Sequence, residues 1–114
     1  MKKTKIRNIL ERIVRILIKE YKPEKIILFG SYCYGYSDED SDIDLLIIKN
    51  TDQKNRVERF VEVKRIIYNQ KNKIPISPLI LTTEEINERL KLGDEFLEEI
   101  VTKGKVLYES VKHC

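Results

Sequence analysis

Apolar positions along the chain change their period several times, and each change marks a boundary. Between residues 4 and 21, Ile6, Ile9, Leu10, Ile13, Ile16, Leu17 and Tyr21 recur three or four residues apart. That spacing predicts a helix with one buried stripe. Lys5, Arg12, Arg15 and Lys19 fill much of its remainder, and Pro23, which has no backbone N–H to donate, stops it. Ile26 to Phe29 are apolar at every position, so residues 25–30 read as a strand buried on both faces and ended by Gly30. Residues 31–37 fit one helical turn with Ser31 as its N-cap. Residues 41–49 read as a second strand, alternating at first and apolar from Leu45 to Ile48.

A second long helix is predicted over 52–70, with Val57, Phe60, Val61, Val63, Ile66 and Ile67 on its apolar side and Asn69 and Asn72 at its exit. Residues 74–81 read as a third strand. Pro75 and Pro78 make it an edge strand or an irregular one. Thr82 followed by Glu84 and Glu85 is a helix start. That helix runs to about Leu92 and breaks at Gly93. Another spans 94–103, with Phe96, Leu97, Ile100 and Val101 on one side and Gly104 closing it. Val106 to Tyr108 read as a short last strand. The order αβ(α)βαβααβ describes an α/β domain, and 114 residues suffice for one core but not two, so residues 1–114 are taken as a single domain.

Composition narrows the class. With 41% hydrophobic and 36% charged residues the chain is globular, with a heavily charged exterior. No apolar run approaches the ~20 residues of a membrane span. Charges at Arg7, Glu11, Arg12 and Arg15 interrupt any secretory core after the basic start, so a cytoplasmic protein is expected. Cys33 sits mid-motif, Cys114 is the last residue and His113 is the sole histidine, which argues against a structural disulfide or a zinc site. The net charge of +3 conceals segregation: residues 1–25 hold nine basic and three acidic groups, and residues 49–73 eight and three, whereas 38–44 hold five acidic groups and no basic one. Such runs serve as solvated helix faces, or as a basic surface that attracts a nucleotide or an acidic protein partner.

The stretch Gly30 to Asp44 joins the first two strands and carries the candidate chemistry. Gly30 and Gly35 have P-loop spacing, but Tyr36 stands where the phosphate-binding lysine belongs. Asp38, Asp40 and Asp42 match three calcium-loop positions, but Ile43 and Lys49 replace its glycine and bidentate glutamate. Asp38, Glu39, Asp40 and Ser41 are explained as a turn. Asp42 and Asp44 are not: as i and i+2 of a strand they share a face ~6–7 Å apart and repel each other. A cation that neutralises them explains the pair, and magnesium, which takes carboxylates and phosphate oxygens together, fits best. Glycine at position 30 lets backbone approach phosphates, and Ser31 offers a hydroxyl and N–H groups at a helical turn. Tyr32, Tyr34 and Tyr36 either stack on a base or pack the loop onto the core.

Gly30-Ser31, ten residues, then Asp42-Ile43-Asp44 resembles the GS-x10-DxD signature of the nucleotidyltransferase superfamily with the DNA-polymerase-beta-like fold. The size, leading helix and closing helix–Gly–strand look like its minimal nucleotidyltransferase branch. Members are typically antitoxins that transfer AMP from ATP to a tyrosine of a HEPN-domain ribonuclease toxin. The resemblance implies a small mixed sheet with flanking helices, Mg2+ as cofactor, and Asp42 and Asp44 as catalytic metal-binding carboxylates. It implies Gly30 and Ser31 as nucleotide-binding residues, and ATP and a HEPN toxin as partners, without a membrane or direct nucleic-acid role. The family pattern also has a third carboxylate on a later strand, and here Ser77 occupies that place. An uncharged hydroxyl is a poor substitute for a hard anionic ligand. Two alternatives therefore stand beside the enzyme: an antitoxin that acts by contact alone, and the catalytic subunit of a nucleic-acid nucleotidyltransferase.

Overall fold

The computed structural model describes residues 3–35, 41–68 and 74–110. The expected turn at 38–40, Tyr36, the exit at 69–72 and the terminal His113 and Cys114 lie outside the described residues. Among the described residues nine elements follow in the expected order. They are α1 (Lys3–Glu20), β1 (Lys25–Phe29), α2 (Ser31–Tyr34), β2 (Ile43–Ile48), α3 (Arg56–Tyr68), β3 (Ile76–Leu81), α4 (Thr83–Lys91), α5 (Glu95–Lys103) and β4 (Lys105–Glu109).

The strands form one mixed sheet in the order β3-β2-β1-β4. β1 runs antiparallel to β2 and β4, while β2 and β3 are parallel. β3 is an edge strand, the position that suits Pro78 within it. Its even-numbered carbonyls turn away from β2: Ile76 O accepts from Lys64 Nζ, and Ile80 O from Arg59. Pro78 shares that outward register, so its missing N–H removes nothing from the ladder.

The pleat divides the core in two. Ile26 and Leu28 of β1, with Ile43, Leu45 and Ile47 of β2, pack under α1 and α3. Ile27, Phe29, Leu46 and Leu81 face the other way, under α4 and α5. Asp42 and Asp44 have the parity of Leu46, so they belong to the second face, on the side of α4 and α5.

Helix boundaries follow local chemistry. Thr82 caps α4 with a reciprocal pair: its side chain accepts from Glu85 N, and Glu85 accepts from Thr82 N. At Gly104 the chain leaves α5 with extended backbone. Glycine is needed there for space, because a Cβ would lie 2.4 Å from Ile100 O and 2.5 Å from Ile27 Cγ2.

The apolar side expected for α3 is only half right. Val63 and Ile67 are buried, but Val57, Phe60 and Val61 are exposed, and Arg59 is buried instead, at 3%. Residues 59, 63 and 67 lie four apart on the inward face, so Arg59 owes its burial to position. Its guanidinium donates to Gln53 O at 2.7 Å and to Glu85 Oε1 at 2.7 Å, joining α3 to the start of α4. On α5, likewise, Leu97 and Ile100 are buried while Phe96 and Val101 are exposed.

Burial alone would raise the Glu85 carboxyl, but bonds from Arg59 and the Thr82 backbone outweigh it and hold the pKa below its ordinary 4.5. A depressed carboxyl stabilises the fold above its unfolded-state value and loses that contribution as pH falls through the folded value. Arg59→Met is therefore expected to cost about 2 kcal/mol at neutral pH, discounted from a fully buried pair because Glu85 is partly exposed. Urea unfolding at pH 7 and pH 3.5 should show that cost shrinking in acid.

Candidate functional site

The site begins where β1 stops. Gly30 leaves the strand at φ 75 and ψ −161, a conformation nearly confined to glycine, and becomes the N-cap of α2. Ser31, expected as that cap, is instead the first helical residue. Gly30 O accepts from Cys33 N and Tyr34 N, each at 3.0 Å. Ser31 and Tyr32 thus carry the first two N–H groups of the turn, which have no acceptor within it. Gly35 closes the turn in the left-handed region at φ 86. Tyr32 and Cys33 pack against one core cluster and Tyr34 against the other, so these side chains anchor the turn to both faces of the sheet.

β2 brings the aspartates to the same place. Asp44 pairs across the sheet with Phe29 on one side and Ser77 on the other. Gly30 follows Phe29 directly, and its missing side chain leaves room for the Asp44 carboxylate: a Cβ at Gly30 would lie 2.2 Å from Asp44 Oδ2. The glycine and the aspartate, fourteen positions apart in sequence, are therefore one feature in space. Asp42 precedes the first residue of β2, later than expected for the strand start. Ile43 N still bonds Pro75 O at 2.9 Å, which continues the pairing with the β3 segment at that point.

Burial, and secondarily the Asp42 charge, raises the Asp44 carboxyl above its ordinary 3.8. Among the described residues neither aspartate has a basic partner in an ion pair. Nor is there, among them, a cluster of three or more His, Cys, Asp or Glu side chains placed to hold a metal. Ser77 does reach the site: its Oγ donates to Asp42 Oδ2 at 3.0 Å. It orients a carboxylate rather than replacing one. Ser77→Ala is expected to weaken the Mg2+–nucleotide binding proposed below about threefold, the worth of one ordinary hydrogen bond at an exposed site, and calorimetric titration would read it.

Sequence alone does not mark one neighbour of the site. Phe96 meets Phe29 edge to face, with ring centroids 5.7 Å apart, and remains 55% exposed. Phe29 is the cross-strand neighbour of Asp44. The i+3 and i+4 pattern of α5 places Phe96 with Leu97 and Ile100. Only the fold shows that it meets the strand residue paired with Asp44.

A glycine-bounded turn after one strand thus stands beside a second strand that carries Asp44 and is preceded by Asp42. The family described as "Polymerase beta, Nucleotidyltransferase" matches residues 11–113, and the chain belongs to it. Similar proteins in Methanocaldococcus jannaschii include "Putative protein adenylyltransferase MJ1305", 30% identical over 108 residues, 91% of this chain and 72% of the relative. "Putative protein adenylyltransferase MJ0604" is 30% identical over 101 residues, 87% of this chain and 94% of the relative. Among solved structures, "a putative nucleotidyltransferase from Sulfolobus solfataricus" superposes with a TM-score of 0.61 at 17% identity, covering 90% of this chain and 78% of that one. A structure described as "the toxin-antitoxin with AMP-PNP" gives a TM-score of 0.52 at 23% identity, over 88% of this chain and 73% of that one. At such identities the superpositions establish the fold. It is the small mixed sheet with flanking helices expected from sequence.

Proposed function

We propose that the chain is a cytoplasmic, Mg2+-dependent protein adenylyltransferase that transfers AMP from ATP to a tyrosine of a HEPN ribonuclease toxin and thereby acts as its antitoxin. One observation carries the reading: two carboxylates at the start of one strand, without a basic ion-pair partner among the described residues, the inner one seated against a glycine that opens a helical turn. The family membership and the names of the relatives support the reaction class, and the toxin–antitoxin neighbour supports the partner class.

The donor set suits magnesium. Asp42 and Asp44 are hard oxygen ligands on one face, without a competing cation among the described residues, and their mutual repulsion is relieved by a divalent ion. When bound, the ion supplies charge neutralisation at the phosphates. Gly30 gives the triphosphate close access to backbone, and Ser31 offers its hydroxyl and N–H. Ser77 holds Asp42 in orientation. In the transfer the tyrosine oxygen forms a bond to the α-phosphorus, the bond from that phosphorus to pyrophosphate breaks, and the phenolic proton is released. Among the described residues no helix is long and apolar enough to cross a membrane.

Incubation with α-labelled ATP, Mg2+ and a HEPN-domain toxin that the protein binds tests the reaction. Label should reach the toxin, and binding without labelling would refute the catalytic claim. Ser77 at the place of the third carboxylate favours a second reading, in which the antitoxin acts by contact alone. Under it, the Asp42→Asn/Asp44→Asn variant would still protect cells from the toxin.

A further inference from the structure

The helix α5 lies on the same sheet face as Asp44, and its two ends meet β1 within three residues of each other. Phe96, in its first turn, contacts Phe29 with ring centroids 5.7 Å apart and an interplanar angle of 80°. Gly104, just past its last turn, is so close to β1 that a Cβ would lie 2.5 Å from Ile27 Cγ2 and 3.1 Å from Leu28 O. The helix therefore crosses the end of β1 rather than running along it. It finishes where β4 begins, with Lys105 paired to Leu28, so its first turn lies on the other side, toward β2 and Asp44. Leu97 and Ile100 accordingly pack with Leu46 of β2 and Leu81 of β3. One flank of α5 also faces the glycine-bounded turn. Lys103 O accepts from Cys33 Sγ at 3.9 Å. Burial, and then the Glu99 charge, raises the Tyr34 phenol above its ordinary 10.0. Phe96, Glu99 and Lys103 follow at spacings of three and four and so share that flank. Phe96 is 55% exposed, so its ring stands open beside both the turn and the aspartate strand.

We infer that Phe96 is the platform on which the base of the donor nucleotide stacks. This rests on the reading that Gly30, Ser31, Asp42 and Asp44 hold the triphosphate and its ion. Two observations select the base as the occupant. The first is span. Asp44 and Phe29 are directly opposed in the sheet, so their Cβ atoms stand about 5 Å apart. The Phe96 ring centre is 5.7 Å from that of Phe29. A ribose bridges such a distance between an α-phosphate held at Asp44 and a base lying on Phe96. The second is charge. Asp94, Glu95, Glu98 and Glu99 flank Phe96, and no basic side chain follows it on α5 before Lys103. These surroundings repel a phosphate and tolerate an uncharged ring, so of the two ends of a nucleotide only the base suits them. Any base offers a π face to an open aromatic side chain. The platform is also set in advance: Leu97 beside it is fully buried, and Phe29 meets its ring edge to face, so little freedom is lost when a base lands.

Calorimetric titration with Mg2+ and either ATP or inorganic tripolyphosphate separates the base from the phosphates. Phe96→Ala should lower ATP affinity about tenfold, as loss of a stacking aromatic does, and leave tripolyphosphate affinity unchanged. Phe96→Trp should keep the ATP affinity. It also gives the chain its only tryptophan, whose fluorescence ATP should quench and tripolyphosphate should not. That optical readout decides the matter by itself if the alanine variant melts below wild type. Unchanged ATP affinity in Phe96→Ala, with no quenching in Phe96→Trp, overturns the platform and leaves the reaction standing. If the alanine variant instead transfers label with a raised KM for the acceptor protein alone, the platform is overturned in favour of an acceptor contact. Equal losses for ATP and tripolyphosphate overturn it as well, because Phe96 then acts through Phe29 on the placing of Asp44. Wild-type protein that binds neither ligand in the presence of Mg2+ removes the nucleotide site itself, and with it the proposed function.

Discussion

Asparagine at positions 42 and 44 is expected to abolish adenylyl transfer and, at position 44, to make the metal-free protein more stable. Each aspartate is proposed to hold the ion that offsets phosphate charge, a contribution of several kcal/mol, so either single change should slow transfer about a thousandfold or more. The stability effect has the opposite sign. Burial, then repulsion from Asp42, raises the Asp44 carboxyl above 3.8, so its ionised form is penalised in the fold. That penalty is absent below the unfolded-state value, grows as pH rises through the folded value, and is complete at neutral pH. The neutral amide of the Asp44→Asn variant escapes it. Scanning calorimetry at pH 7 should show Asp44→Asn melting above wild type without Mg2+, and no higher at pH 3. Added Mg2+ and ATP should raise the wild-type midpoint by mass action and leave the variant where it was. An Asp44→Asn protein that melts lower at pH 7 and still responds to Mg2+ would refute the assignment of Asp44 as a strained ligand. The two readouts distinguish a carboxylate kept for chemistry from one kept for packing.

Much of this centre is legible in the sequence because it is local. The strand ending at Gly30 and the aspartates at i and i+2 need only strand periodicity and the repulsion of like charges. Element order follows from where the period changes, and the prolines at 75 and 78 leave an edge strand or an irregular one, of which the fold shows the edge strand. What could not be read depends on which elements meet. Periodicity gives the apolar arc of α3 but not how much of it the sheet covers. The sheet and α1 cover the arc of Val63 and Ile67, and the remainder, Val57, Phe60 and Val61, faces out. Arg59 carries a charge that a sequence pattern assigns to the surface. Its burial depends on Glu85, 26 residues away, and on the carbonyls of Gln53 and Ile80. Ser77 is similar: as a residue type it is a weak metal ligand, and only the register of β2 with β3 shows that it serves Asp42.

The link between Gly30 and Asp44 is also invisible until the strands pair, and it yields the second large effect. Gly30→Ala is expected to cost about 3 kcal/mol of stability and about a hundredfold in transfer. Two causes add. The backbone at φ 75 and ψ −161 is a region that side chains avoid. The new Cβ would also meet Asp44 Oδ2 at 2.2 Å, a distance that forces the carboxylate to move. A double-mutant cycle separates them. Asp44→Ala in the Gly30→Ala background removes the colliding oxygen and leaves the backbone cost, so it should restore part of the stability and none of the activity. If Asp44→Ala changes stability equally in both backgrounds, no collision couples the two residues, and Gly30 acts through its backbone alone. Coupling of either sign above about 0.5 kcal/mol indicates direct interaction, and the collision requires the sign in which the double variant is more stable than the sum of the singles. Glycine at position 30 then has two functions in the proposed reaction: it opens the turn toward the nucleotide phosphates, and it fixes the place of the carboxylate proposed to hold the ion.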